Sequence, residues 1–95
     1  MTTTAKPRLI GKVTHFYNHI GVAIVKLNEG LVLGEHLHFS GKHTDFSEPV
    51  ASMEYNHHQI TWAERDQEVG IKVEKPVREG DLVLAADEDE EADDG

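Results

Sequence analysis

The sequence predicts an all-β fold, a small closed antiparallel β-barrel of six or seven strands, and three observations carry that expectation. Apolar stretches of about five to nine residues, the usual strand length, alternate with glycines and short polar clusters. No stretch keeps a 3.6-residue apolar period long enough to compete as a helix. The 95 residues include no cysteine, so no disulfide, thiolate zinc site or thiol nucleophile is available. The fold must rest on apolar packing and strand pairing, and closing the sheet removes its exposed edges.

In chain order, a first strand is expected from Leu9 to Tyr17, a turn at Asn18 and His19, and a β-branched partner strand over Ile20 to Leu27, the two forming a hairpin. Asn28-Glu29-Gly30 supplies a turn, because Asn and Gly tolerate positive φ. Gly34 opens a third strand, in which a period of two puts Leu37 and Phe39 on the core face and His36 and His38 outward. Gly41 to Ser47 reads as a loop, and Pro49 marks a strand start or a sheet edge. Val50 to Tyr55 reads as a strand, Asn56 to Gln59 as a turn or short loop, and Ile60 to Trp62 as a brief strand. Glu68 to Lys75 has the cleanest alternation, with Val69, Ile71 and Val73 inward and Lys72 and Glu74 outward. Glu79-Gly80-Asp81 turns the chain into a closing strand, Leu82 to Ala86. One domain is expected over 9–86, between a flexible N-terminus (1–8) and an acidic, disordered tail (87–95).

The net charge of −9 is unevenly spread. Asp87, Glu88, Asp89, Glu90, Glu91, Asp93 and Asp94 carry seven of those negative charges, leaving −2 on the body. The first 28 residues hold Lys6, Arg8, Lys12 and Lys26 and no acidic residue, so one end of the domain is locally basic. The N-terminus lacks the apolar stretch of a signal peptide and no run approaches the roughly 20 apolar residues of a membrane span, which points to a cytoplasmic protein without membrane partners.

The order of short motifs resembles the second domain of elongation factor Tu and its relatives, stand-alone translation elongation factor-like proteins included. Ile20-Gly21-Val22-Ala23-Ile24-Val25 followed by Leu31 to Leu37 resembles that family's glycine-led hairpin and the step after it, with Glu35 where Asp is usual. Val50 to Glu54, Ala63 to Ile71 and Arg78 to Val83 resemble its later strands, although Asp66 and Gln67 stand where Gly-Asp is usual. The segment Gly11 to Tyr17 with Ile20 to Ala23 is also similar to the C-terminal barrel of the collagenase-like peptidase family, several members of which are associated with RNA modification. The catalytic region of those proteins has no counterpart in this chain.

A translational GTPase needs a phosphate loop of the form Gly-x-x-x-x-Gly-Lys-Ser/Thr, and none occurs, so neither GTP hydrolysis nor a bound nucleotide triphosphate is expected. The resemblance then implies a non-catalytic, translation-linked module, expected as a monomer, that contacts tRNA, ribosomal RNA or a translation-related protein. The candidate RNA-binding residues are Lys12, His15, Phe16, Tyr17, Asn18, His19 and Lys26 of the first hairpin, which offer cations for phosphate and rings for base stacking. The plainer reading makes Phe16 or Tyr17 core packing and the lysines a solvated face. Seven histidines invite a metal reading, with His36 and His38 on one strand face, but no third ligand is tied to them by sequence and no metal or other cofactor is expected. Asp45, Glu54, Glu64 and Asp66 with Ser40, Ser47 and Ser52 form no marked nucleophile and base, so no enzyme is expected. The tail either solvates the protein or mimics nucleic acid, folding over the basic hairpin or engaging a basic partner.

Overall fold

The computed structural model describes residues 8–86; the expectations for 1–7 and for the acidic tail lie outside them. Ten strands and no helix make up the described chain, and none of it is a helix long and apolar enough to cross a membrane. Strands β1 (Leu9–Tyr17) and β2 (Val22–Leu27) form the long first hairpin. Its turn is tied by the Gly21 N–H to the Tyr17 carbonyl at 2.9 Å, with Gly21 at φ 68°, a region open to glycine at little cost. Strand β2 then pairs with β9 (Glu68–Lys72), and β9 with β6 (Met53–Tyr55).

On the other flank β1 pairs with β10 (Leu82–Ala85), β10 with β4 (His36–Gly41), and β4 with β5 (Thr44–Pro49). The first described residue meets the last strand on this flank, where the Ala85 N–H donates to the Arg8 carbonyl at 2.9 Å. Strand β7 (His58–Gln59) completes an antiparallel eight-stranded sheet in the order β5-β4-β10-β1-β2-β9-β6-β7. A small second sheet pairs β3 (Leu31–Val32) with β8 (Trp62–Ala63). It is stitched to the segment after β5 by the Gly34 N–H to Val50 and the Val50 N–H to Glu35, each 2.9 Å.

The ladder does not close among the described residues: β5 and β7 are its two ends. The closed barrel of six or seven strands is therefore met only as an antiparallel all-β sheet around one core. That core is built as the alternation requires. Leu37, Phe39, Val69 and Ile71 are buried to 1% or less, and Ile10, Val25, Met53 and Val83 join them at 0%. Each such side chain is worth roughly 1.5–3 kcal/mol over its exposed state.

Of residues 41–47, expected as a loop, Gly41 ends β4 and 44–47 are instead strand. A two-residue turn at Lys42 and His43 folds β5 back on β4. Phe46 stacks on Phe39 at 5.1 Å between ring centroids and 19° between planes, and Thr44 is buried. The polar residues that suggested a loop are those of a strand with one solvated face and one free edge. Of Asn56 to Gln59, expected as a turn or short loop, only Asn56 and His57 turn, with φ 55° and 66°, and His58–Gln59 are instead strand β7, paired with Tyr55 and Glu54. The expected strands are also shorter at their irregular ends: Val50–Tyr55 is strand only from Met53, and Glu68–Lys75 only to Lys72.

One buried carboxyl side chain fixes the edge of the sheet that ends in β5. Asp81, 6% exposed, accepts hydrogen bonds from the Thr44 hydroxyl and, at 2.9 Å, from the Arg78 N–H. Its carboxylate occupies the space where any side chain at position 41 would sit, so Gly41 is required there by packing. The turn before β10 is thereby locked onto the β4–β5 hairpin.

Candidate nucleic-acid interface

The outer face of the first hairpin is decided by one irregularity. Val13 pairs with Val25, both buried, and the next registered pair is His15 with Ile24, so Thr14 is an extra residue, a β-bulge. A regular strand would alternate Val13 in, Thr14 out, His15 in, Phe16 out and Tyr17 in. The bulge shifts that phase by one. Phe16, opposite buried Ala23, packs against the core, while His15 and Tyr17 stand on the outer face with Lys12 and Lys26. Their rings touch at 4.3 Å, tilted by 58°, and Tyr17 is 49% exposed.

Lys12 and Lys26 lie directly opposite each other across β1 and β2, an arrangement of like charges that costs stability in a sheet. The register relieves it on one side, where Lys26 pairs with Glu68 of β9. Glu68 also accepts from the Thr14 hydroxyl at 3.0 Å, and His15 Nδ1 lies 3.3 Å from Glu79. Asn18 and His19 sit exposed in the turn beside Ile20, which is 59% exposed.

The structure thus gathers Lys12, His15, Tyr17 and Lys26 on one face, puts His19 at its tip, and withdraws Phe16 from it. It also adds Lys72, expected outward from the alternation of its strand. The β2–β9 register sets Lys72 beside Val22, itself opposite Tyr17. Between the cations the face is apolar: Ile24 lies against Gly70, which has no side chain to cover it. Cations, an exposed ring and an apolar centre suit phosphate contact with base stacking.

Register makes a second cluster. His38 Nε2 is 2.8 Å from Asp45, and its Nδ1 is 3.1 Å from the Ser47 hydroxyl. A single neutral tautomer satisfies both: Nε2–H donates to Asp45 and Nδ1 accepts from Ser47. The residue types are those of a hydrolytic triad, but the side chain of Asp45 is 85% exposed and Ser47 is exposed as well, whereas a working triad holds its members buried and oriented. The cluster ties β5 to β4 through side chains. Among the described residues no three His, Asp or Glu side chains gather to hold a metal ion.

No protein family's sequence profile matches the chain. It is 39% identical over 75 residues, 78% of its length, to an uncharacterized protease of Methanocaldococcus jannaschii, and spans only 18% of that protein. In structure it is similar to the C-terminal domain of a candidate U32 peptidase from Geobacillus thermoleovorans. One crystal structure of that domain aligns with a TM-score of 0.78 and 18% identity, covering 92% of this chain and all of that one. Its selenomethionine variant gives 0.77 and 19%, covering 81% and 98%. At such identity the likeness is one of fold. It falls on the second of the two resemblances, the collagenase-like peptidases, and lends no support to the elongation-factor one.

Proposed function

We propose that this chain is a non-catalytic, cytoplasmic binding module that contacts single-stranded RNA of tRNA or ribosomal origin through the outer face of its first hairpin. The observation that carries the reading is the Thr14 bulge, which turns Tyr17 and His15 to the same face as Lys12 and Lys26 and commits Phe16 to the core. Its fold is read as a small barrel of the kind appended to collagenase-like peptidase proteins, and their association with RNA modification agrees with an RNA partner. The match to less than a fifth of the archaeal protease fits an accessory part and carries no peptidase activity over to this chain.

Binding of a fluorescent single-stranded oligonucleotide, read by anisotropy, tests the reading. With three lysines on phosphates, affinity falls about 100-fold for a tenfold rise in salt. Lys12→Glu with Lys26→Glu reduces it a further tenfold or more. Tyr17→Ala removes a stacking contact worth about 1–3 kcal/mol. Removing 87–95 raises affinity at low salt if the tail competes for the face. Salt-independent binding, or binding indifferent to the lysine changes, overturns the proposal.

A second reading, docking onto a translation or RNA-modification protein without RNA, is favoured by the small sheet. There Val32 and Trp62 pair across strands while 50% and 58% exposed, a large apolar surface for so short an element. Recovery of the same partners from extract after nuclease treatment, lost on Trp62→Ala, would favour it.

A further inference from the structure

The outer face of the sheet has a level floor where β2, β9 and β6 run side by side. Ile24, Gly70 and Glu54 stand in one row across these strands, with Gln59 of β7 next in line. A side chain at position 70 would meet Val22 Cγ1 at 3.1 Å and Ile24 Cδ1 at 3.6 Å, so two apolar side chains lean over the bare glycine and leave a platform rather than a pit. Lys72 stands on this face two residues beyond Gly70, about 6.6 Å along the strand, and Lys26 is level with Glu68 at the same spacing on the other side. A base lying on the platform therefore has a cation within reach of the phosphate on either side of it.

The far wall of the platform is a carboxylate. Directly opposed side chains in a ladder stand about 5 Å apart at Cβ, so Glu54 borders the space above Gly70. It is held there, because Gln59 donates an amide N–H to Glu54 Oε2 at 3.3 Å and accepts at its amide oxygen from the Ser52 hydroxyl at 3.4 Å. The other acids of this face are engaged, Glu68 by the Thr14 hydroxyl and Glu79 by His15, whereas Glu54 keeps Oε1 and a lone pair of Oε2 open among the described residues. Its diagonal neighbours on β9, Lys72 and Glu68, offset each other in charge. A carboxylate so placed repels phosphate and favours a base edge with two parallel N–H donors. Guanine has them in N1–H and the N2 amine, uracil lacks them, and adenine and cytosine supply them only in part.

We infer that Glu54 is the specificity-determining residue of the RNA-binding face, selecting guanine for the position stacked over Gly70. The inference rests on the RNA reading proposed above and adds to it a preferred base and the side chain that reads it.

The test measures anisotropy of the full chain with fluorescent heptauridylate and with the same oligonucleotide carrying guanosine at its centre. The guanosine oligonucleotide binds about tenfold tighter, the discrimination of a two-bond base contact. Inosine at the centre, which differs from guanosine only in lacking the N2 amine, loses most of that gain and needs no variant protein. Glu54→Gln, a change at an exposed position, brings the guanosine and uridine oligonucleotides within twofold of each other and weakens heptauridylate binding by no more than twofold. Equal binding of the guanosine and uridine oligonucleotides to the unaltered chain, with salt dependence retained, overturns the inference and leaves the RNA reading standing. No binding of either at low salt overturns both. A guanosine preference that survives Glu54→Gln overturns the assignment to Glu54. Guanosine monophosphate that binds as tightly as the heptamer also overturns it, because the site then takes a free nucleotide.

Discussion

The two long hairpins of this domain solve opposite problems. The first, β1–β2, lies mid-sheet with a neighbour on each side, so its strands are rich in Val, Ile and Leu and its irregularities serve packing. The second, β4–β5, ends the sheet; β5 carries Asp, Ser, Glu and Pro and is held by side-chain bonds from His38, Thr44 and Asp81. The difference teaches that a central strand is specified by its apolar content and an edge strand by the polar contacts that fix it.

The sharpest way to break the central hairpin is Gly11→Ala. A Cβ at position 11 would lie 2.5 Å from the Lys26 carbonyl oxygen and 2.8 Å from Val25 Cγ1, so backbone must move apart, and a loss of about 3 kcal/mol is expected in chemical denaturation. Asp81→Ala attacks the edge hairpin instead. It leaves the buried Thr44 hydroxyl and the Arg78 N–H without their acceptor, at about 2 kcal/mol. Hydrogen exchange should show β5 amides losing protection while those of β1 and β2 keep theirs; uniform loss would erase the distinction between the hairpins.

The smallest expected effect is at Glu48. Burial pushes its carboxyl above the ordinary value of 4.5, outweighing the Glu74 N–H and Lys75, which favour the charged form. Because the folded chain holds that proton more tightly, the contribution to stability is full below pH 4.5 and is lost as pH rises through the raised folded value. Glu48→Gln, which still accepts from Glu74, should flatten this part of the pH profile by less than about 1 kcal/mol between pH 4 and 7. An unchanged slope would show that the Glu48 carboxyl is more hydrated than its burial implies.

What was legible in the sequence follows the same line. Val69, Ile71 and Val73 alternate with polar residues, and Leu37 and Phe39 do so between histidines, so those strands and their inward faces could be read directly. Residues 44–49 could not, because their strand character comes from Phe46 on Phe39 and from pairing with β4, both long-range facts. The candidate RNA face was read as a segment, and its membership as a surface needed register. No local pattern marks Thr14 as the bulge that sends Phe16 inward, sets Lys72 beside Val22, or brings Asp45 and Ser47 onto His38. Asp81 read as a turn residue; its burial depends on the space left by Gly41, forty positions earlier in the chain.

The hydrogen bond from Ala85 to Arg8 has a topological consequence. The described chain enters and leaves the sheet on two neighbouring strands, β1 and β10, one strand spacing of about 4.8 Å apart. A unit with such a single doorway can be grafted onto a host protein, or interrupt one of its surface loops, without pulling the host's ends apart. Joining 8 to 86 by a short linker and reopening the chain at the Asn56-His57 turn should accordingly give a circular permutant with the same sheet.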